Sequence, residues 1–223
     1  MNTFSQELNF PRCESDIQQC LLSPLIKTIH LFVLGPVGTN ISQASERWAK
    51  RMGVQDKVKI KLCSTPEDAL EMARLVFSPG ELGLFWTCAV YFRLNELFFR
   101  NPDTLPFFVQ EIMALDGMQL ATHKDLLYET KLGIPQLWKI ASHPSPAPLV
   151  SDLGCQIVLV NSNAAAAGLC ATGDVQACIT TESAKVLHNL ATIHEFGCPD
   201  MVFFGGITSS GIRLIREVFL SLS

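Results

Sequence analysis

The sequence predicts an α/β fold in which parallel strands alternate with helices. Short, continuous apolar runs bounded by glycine, proline or serine recur along the chain, and such runs are typical of buried parallel strands. Segments with apolar residues at helical spacing follow most of them, and this alternation favours parallel sheets. The chain has 223 residues, which fits either one large domain or two small lobes.

The first third of the chain holds three strands and the helices that follow them. Strands are predicted from apolar runs, and helices from apolar spacing and from acidic residues in the first turn, which suit the helix dipole. In order, these are a short helix at Asp16–Leu22 in a polar arm, a strand at Thr28–Leu34, a helix at Ile41–Met52, a strand at Lys57–Leu62, a helix at Pro66–Val76 and a strand at Leu82–Val90.

The rest of the chain continues the alternation after two strands that have no helix between them. Asp116-Gly117 predicts a turn between those two strands. Strands are predicted at Phe107–Ala114, Met118–Thr122, Leu137–Ala141, Ile157–Val160, Ala177–Thr180 and Met201–Phe204, and helices after Ser145, from 163 to Ala171, from Thr181 to about Leu190 and at Ile212–Leu222.

Composition excludes several classes of protein. Hydrophobic residues make up 48% of the chain and charged residues 17%, so we expect a compact globular protein. The net charge is -4 with no basic run, so nucleic acid is not an expected partner. No segment has the pattern of a signal peptide or a membrane span, which predicts a cytoplasmic protein with no membrane partner. Low charge also favours a homo-oligomer with a covered apolar surface.

The eight cysteines are scattered through apolar segments and form no CxxC pair, and no HxxxH pair is present. A chain of this length does not need disulfides to fold, so we expect free thiols. Neither a zinc site nor a redox motif has a spacing that indicates it. We therefore expect no metal and no cofactor.

Four turns at predicted strand ends are rich in small polar residues: 35–40, 142–145, 161–163 and 180–182. In open α/β sheets, ligands bind beyond the carboxyl ends of strands. A glycine-rich turn at a helix N-terminus can hold a carboxylate without Lys or Arg, because its N–H groups are unpaired. Each turn alone is explained as well by helix capping or tight packing. Their recurrence favours a binding site.

These turns carry a resemblance to a known family. Gly35-Pro36-Val37-Gly38-Thr39 resembles a turn near the start of prephenate dehydratases, and Ser142-His143-Pro144 resembles a turn in their second lobe. Segments 162–166 and 177–184 are similar in order and spacing, and the similarity spans about residues 28–207. The resemblance implies a periplasmic-binding-protein type II-like fold, with two α/β lobes and the substrate in the cleft. The implied division is an N-terminal arm at 1–26, a first lobe at 27–90 plus 192–223, and a second lobe at 91–191.

The chain departs from the dehydratases at two places. Cys88-Ala89-Val90 stands where they carry Glu-Asn-Ser, and Met201-Val202-Phe203 stands where they carry Thr-Arg-Phe, whose threonine is the family's presumed acid. The sequence is closer to the prephenate decarboxylases of bacilysin-type and aeruginosin-type pathways, which share the Ser-His-Pro-Ser-Pro form at 142–146. This implies a carboxy-lyase that decarboxylates prephenate, or a related cyclic carboxylate, without aromatisation in specialised-metabolite biosynthesis.

The same resemblance assigns roles to the turn residues. His143 or Glu182 is expected to deliver the proton. The expected substrate contacts are Gly38, Thr39 and Asn40 for a carboxylate, Ser142, His143 and Ser145 for the other end of the substrate, and Asn163 and Thr181 along the cleft. Two alternatives stay open: a prephenate dehydratase that gives phenylpyruvate, and a non-catalytic module that binds a small carboxylate. The second is favoured by the few charged residues in the turns.

Overall fold

A computed structural model describes residues 10–35 and 38–222, and the chain divides into two compact units. One unit comprises the chain up to Met113 together with the segment from Met201 onward, and the other comprises Ala114–Asp200. Each unit is built on one five-stranded sheet that packs against helices. The predicted α/β class is thus confirmed.

The described elements follow one another in the order expected from the sequence, with an additional helix at Leu94–Phe99 and an additional strand at Ala191–Gly197. They are α1 (Glu14–Leu22), β1 (Thr28–Leu34), α2 (Asn40–Arg51), β2 (Val58–Cys63), α3 (Pro66–Arg74), β3 (Glu81–Cys88), α4 (Leu94–Phe99), β4 (Leu105–Ala114), β5 (Met118–Thr122), β6 (Lys139–Ser142), β7 (Gln156–Leu159), α5 (Asn163–Thr172), β8 (Ala177–Thr181), α6 (Glu182–Leu187), β9 (Ala191–Gly197), β10 (Asp200–Ile207) and α7 (Ser209–Leu222). Short 3-10 helices lie at Gln55–Lys57, Lys124–Thr130 and Ala147–Leu153.

The sheet of the first unit has the order β2-β1-β3-β10-β4. β1 pairs in parallel with β2 and β3, whereas β10 runs antiparallel to β3. The apolar runs that predict β1 and β3 are buried on both faces, since α2 and α3 pack against these strands. Trp48 of α2 meets Trp86 of β3 with their ring centroids 5.5 Å apart, and both side chains are fully buried.

β10 carries two adjacent glycines because aromatic rings of β3 occupy the space beside it. A Cβ at Gly206 would lie 2.3 Å from Phe85 Cζ, and one at Gly205 would lie 3.0 Å from Trp86 Nε1. The first distance is shorter than side chains tolerate, and the second is tighter than most contacts of a Cβ atom. The two glycines thus allow the large rings to fill the core between β10 and its neighbours.

The sheet of the second unit has the order β7-β6-β8-β5-β9. β6 pairs in parallel with β7 and β8, and β5 is antiparallel to both β8 and β9. Alternate residues of these strands face opposite sides. On one side Ala121, Ala141 and Cys178 pack against Ala166 and Cys170 of α5. On the other side, Leu120, Ile140 and Ile179 pack with Trp138 and Val150.

Both sheets are mixed, so the parallel pairing expected from the sequence is found within β2-β1-β3 and β7-β6-β8 but not where β10 pairs with β3 or β5 with β8. The chain passes from the first unit to the second between β4 and β5, and returns between β9 and β10, with no α-helix at either crossing. β10 runs antiparallel to β3, and β5 runs antiparallel to β8 and β9. Apolar runs report burial and carry no information about strand direction, which is why the sequence could not show this.

The unit boundaries also differ from the predicted ones. The sequence predicts boundaries after Val90 and after Ala191, whereas the structure divides after Met113 and after Asp200. β4 belongs to the first sheet and extends that unit, and β9 belongs to the second. β9 has no predicted counterpart, because it is a half-exposed edge strand without an apolar run.

The predicted N-terminal arm is only partly described, because residues 1–9 lie outside the described residues. Within 10–26, Cys20, Leu21 and Ile26 are fully buried, and α1 packs against α7. The Lys57 ammonium donates to three backbone carbonyls at the C-terminal end of α1, those of Leu21, Leu22 and Ser23, at distances of 2.8–3.0 Å. This part of the chain belongs to the core of the first unit. No helix in the described ranges is long and apolar enough to cross a membrane.

Candidate functional site

Three of the four predicted turns meet at one edge of the second sheet. They follow β6, β7 and β8, which are adjacent in the order β7-β6-β8 and run in the same direction. Their carboxyl ends therefore lie side by side, as the sequence predicts. The fourth turn follows β1 in the first unit, and its Pro36 and Val37 lie outside the described residues.

In the first unit, the turn after β1 leads into the N-terminus of α2, whose first turn has no acidic side chain. Gly38 has a positive φ of 86°, which glycine adopts without strain. Thr39 caps α2: its hydroxyl donates to the Leu34 carbonyl at 3.0 Å and accepts from the Ser42 N–H at 3.3 Å. Asn40 is the first helical residue, and the first turn contains no acidic side chain. This geometry suits an anion.

The turn after β6 is held by hydrogen bonds among its own residues. Ser142 is fully buried, and its hydroxyl donates to the His143 carbonyl at 2.8 Å. The Ser145 N–H donates to His143 Nδ1 at 3.3 Å, and the Val160 N–H donates to the Ser142 carbonyl. The helix expected after Ser145 is a 3-10 helix that begins at Ala147. Ser142 thus stabilises the turn through its own backbone.

Burial lowers the pKa of His143 below its usual value, because removal from water disfavours the charged imidazolium. His143 Nδ1 accepts a hydrogen bond from the backbone, which agrees with a neutral ring. A histidine with a lowered pKa is a poor proton donor at neutral pH.

Replacing His143 by asparagine is expected to weaken the dependence of stability on pH. With the folded pKa lowered, the stability contributed by the neutral ring is present above the unfolded pKa of about 6.5. It is lost as the pH falls through the folded pKa. Asparagine keeps an acceptor for the Ser145 N–H. Urea midpoints at about pH 7.5 and about pH 5 measure the effect, and an unchanged difference in His143→Asn would contradict it.

The turn after β7 leads into α5 and contains a buried polar atom without a partner. Ser162 caps the helix by accepting the Ala165 N–H at 3.0 Å, and no acidic residue lies in the first turn. The Asn163 amide nitrogen donates to Met118 Sδ at 3.8 Å, and its carbonyl Oδ1 is buried with no hydrogen-bond partner in the described chain. An unsatisfied buried acceptor costs roughly 1–3 kcal/mol, so a donor from a ligand would be favourable here.

The turn after β8 uses its polar groups to hold α6. The Thr181 hydroxyl accepts the Ala184 N–H at 3.4 Å, and the Glu182 N–H donates to the Gly117 carbonyl at 2.7 Å. The Ser183 N–H donates to Asp116 at 3.2 Å. The first N–H groups of α6 are thereby occupied within the second unit. Thr181 and the Glu182 backbone support this edge of the sheet.

The Glu182 carboxylate is also engaged with neighbouring side chains. It lies 2.8 Å from the Lys185 ammonium and accepts a hydrogen bond from the Gln119 amide. Gln119 in turn accepts from the Thr192 hydroxyl at 2.6 Å. Sequence reasoning missed Gln119 and Asp116, because they precede their partners by 63 and 67 residues and no local pattern marks them.

The two sheets and their order define the chain as periplasmic-binding-protein type II-like in fold. It is similar to the periplasmic VFT2 domain of BvgS from Bordetella pertussis, with 15% identity and a TM-score of 0.54 over 96% of this chain and 94% of that one. DctP6, an extracytoplasmic solute receptor of the same organism binding pyroglutamic acid, has 13% identity and a TM-score of 0.50 over 87% and 78%. An amino acid ABC transporter substrate-binding protein from Streptococcus pneumoniae, bound to L-arginine, has 13% identity and a TM-score of 0.51 over 88% of each chain. No family model and no curated protein matches.

These neighbours confirm the fold and correct the predicted activity. They are ligand-binding sensor and solute-receptor domains, so the prediction of a carboxy-lyase is wrong. The surroundings of His143 and Glu182 agree with the correction, since neither is placed as a free acid. The resemblance to prephenate dehydratases is supported only at the level of the shared fold. The cytoplasmic location and the homo-oligomer stay predictions.

Proposed function

We propose that this chain is a ligand-binding module that holds a small carboxylic acid carrying an N–H or O–H donor, such as an amino or hydroxy acid, and releases it unchanged. The observation that carries the proposal is the start of α5, where the unpartnered Asn163 Oδ1 lies beside an acid-free helix N-terminus.

The N-terminus of α5 and Asn163 Oδ1 favour different groups on the ligand. The first N–H groups of the helix favour an anion, since Ser162 accepts only the Ala165 N–H. Asn163 Oδ1 is an acceptor and needs a donor. A molecule with a carboxylate and an adjacent amino, lactam or hydroxyl group supplies both. Pyroglutamic acid and L-arginine, named for two of the structural neighbours, have this combination.

Other turn residues have smaller roles in this proposal. Ser145 and His143 border the site on the neighbouring turn, whereas Ser142, Thr181 and Glu182 hold the edge in shape. A second proposed carboxylate contact lies at the N-terminus of α2 in the first unit and consists of Gly38, Thr39 and Asn40. Its test is separate from that of α5.

Asn163→Asp is the sharpest test, because it places a negative charge where the ligand carboxylate is proposed to bind. A carboxylate at the start of α5 gains about 0.3–1 kcal/mol from the helix dipole, whereas burial of its unpartnered oxygen opposes this gain, so the stability of the variant is measured together with its binding. The same charge should repel the ligand carboxylate and weaken binding by at least about tenfold, or 1.4 kcal/mol. Calorimetry with pyroglutamate and a panel of L-amino and hydroxy acids measures binding, and urea unfolding measures stability.

Asn95→Asp is the matched control, since Asn95 is an exposed residue near the start of α4 and aspartate keeps its acceptor oxygen. It should leave the dissociation constant unchanged. Asn40→Asp makes the same change at α2 and tests the first-unit contact. Loss of binding in Asn40→Asp but not in Asn163→Asp would contradict the α5 site. Chemical conversion of a bound acid would contradict the non-catalytic function.

A further inference from the structure

β2 is an edge strand of the first sheet, and both of its faces are exposed. It pairs with β1 along one side, and no described strand lies along its other side. Its four central residues, from Lys59 to Leu62, are all exposed, and they are called the β2 edge below. A strand that is open on both faces and along one side can accept a further extended segment.

The backbone groups of Ile60 and Leu62 point away from β1. The Gly35 N–H, just after β1, donates to the Cys63 carbonyl at 2.9 Å, so the backbone groups of Cys63 face β1. The direction of the N–H and C=O groups alternates from one residue of a strand to the next. Those of Lys61 therefore also face β1, whereas those of Ile60 and Leu62 face outward and are available to a further strand.

The side chains of the β2 edge give it two chemically different faces. Lys59 and Lys61 lie on one face, where the Lys61 ammonium lies 5.5 Å from the centroid of the Phe32 ring. Ile60 and Leu62 lie on the other face and are 37% and 45% exposed. The salt bridges of the described residues include neither lysine, and β2 itself has no acidic residue. A new strand here would meet two cations on one face and two aliphatic side chains on the other.

The charge of β2 decides between two kinds of occupant. If a second copy of this chain paired through the same strand, a two-fold axis near Ile60 would set Lys59 opposite Lys61 of the second copy. Like charges directly opposite each other on two strands are destabilising. An extended segment with carboxylates at alternate positions would instead place a carboxylate near each lysine, and aliphatic residues between them would pack on Ile60 and Leu62. Charge complementarity therefore favours an acidic partner.

We propose that the β2 edge binds an extended, acidic segment of a partner protein, which adds to the first sheet as a further strand. Main-chain hydrogen bonds to Ile60 and Leu62 provide the pairing, and Lys59 and Lys61 select carboxylates at every second position of the segment.

This site belongs to the first unit, and it does not depend on Asn163 or on the small carboxylic acid of the proposed function. The apolar and basic alternation of Val58–Cys63 predicts a strand, but it does not indicate whether that strand lies at an edge. The exposure of both faces becomes evident only from the strand order and from the positions of the helices.

Amide hydrogen exchange in the presence of a short peptide tests the proposal. The probe is an acetylated and amidated hexapeptide in which valine and glutamate alternate. One control peptide has lysine in place of glutamate, and the other has the same composition as the probe but three glutamates followed by three valines. With the probe at about 5 mM, we expect the amide exchange of Ile60 and Leu62, followed by NMR, to slow by at least about threefold. Neither control peptide should have this effect.

Reversing the charge of the β2 edge should reverse the preference among the peptides. In Lys59→Glu/Lys61→Glu, the lysine peptide should slow the exchange of the same two amides and the glutamate probe should not, because opposite charges then face each other across the new strand pair. Lys124→Glu/Lys131→Glu is the matched control, since both are exposed lysines of the second unit and the net charge changes equally. It should keep the preference of the unmodified chain.

Three outcomes would overturn the proposal. One is that the probe leaves the exchange of both amides unchanged. Another is that a control peptide slows it as much as the probe does, which would show binding without charge selection or without strand pairing. The third is that the two amides become protected without peptide as the chain concentration rises, which would make a second copy the occupant. All three are measured on the unmodified chain, so the test stands even if Lys59→Glu/Lys61→Glu does not fold.

Discussion

Gly206→Ala is expected to lower the free energy of unfolding by about 3 kcal/mol, at the upper end of the usual cost of overpacking. The new Cβ would lie 2.3 Å from Phe85 Cζ and 2.9 Å from the Cα of Pro106. Phe85 is buried in the core, and Pro106 Cα is a backbone atom of the adjacent strand. Neither can move aside without disturbing the sheet. We therefore expect nearly all of the strain to appear as a lower free energy of unfolding.

Gly168→Ala is the matched control for this prediction. Gly168 lies inside α5, and the nearest side-chain atom to its new Cβ is His188 Cε1 at 3.8 Å, an ordinary contact. The change should raise stability by about 0.5–1 kcal/mol, because alanine favours the helix. Urea unfolding of both variants measures the difference. A loss below about 1 kcal/mol in Gly206→Ala would show that the sheet yields more easily than the contacts indicate.

Arg51→Met is expected to lower the free energy of unfolding by about 2–3 kcal/mol. Arg51 Nε donates to the Glu111 carboxylate at 2.8 Å, and Glu111 is only 6% exposed. Without this partner, the cation left beside Glu111 among the described residues is Arg47 at 3.6 Å, so the buried charge is poorly compensated. The expected loss is smaller than for a fully buried pair, because the Arg51 side chain is itself 41% exposed.

A double variant separates the effect of the Arg51–Glu111 ion pair from the effect of the other contacts of Arg51. Arg51→Met with Glu111→Met removes both charges and should regain most of the loss, since well-packed apolar replacements of buried pairs are often neutral. Arg100→Met is the surface control: Arg100 pairs with Glu96 but is 73% exposed, and the change should cost less than about 1 kcal/mol. If Arg51→Met and the double variant were equally unstable, the Glu111 charge would not be the cause.

The fold could be predicted where local patterns of apolar residues indicate burial. β1 and β3 are apolar runs buried on both faces, and the structure has β1 at the predicted residues. β9 could not be predicted, because Ala191–Gly197 is half-exposed and mixes apolar with charged residues. The direction of β10 was also hidden, since the same run of Phe203 and Phe204 fits a parallel or an antiparallel neighbour.

The position of the candidate site could be predicted, but the hydrogen-bond and ion-pair partners of its side chains could not. The three turns of the second unit do meet at one sheet edge, because the strand order follows from the repeated strand–helix pattern. Whether Glu182 is free depends on Gln119 and Lys185, and only one of these is near it in the chain. Among the described residues, Asn163 Oδ1 likewise has no hydrogen-bond partner, and no sequence motif indicates this.

The position of β10 between β3 and β4 has a consequence for how the chain is made. During synthesis, the strand that completes the first sheet emerges only after the whole of Ala114–Asp200, which is continuous and can fold as it leaves the ribosome. Until then, β3 and β4 expose unpaired edges beside large aromatic rings such as Phe85 and Trp86. A chaperone would therefore matter most for the incomplete first unit, before β10 has been synthesised.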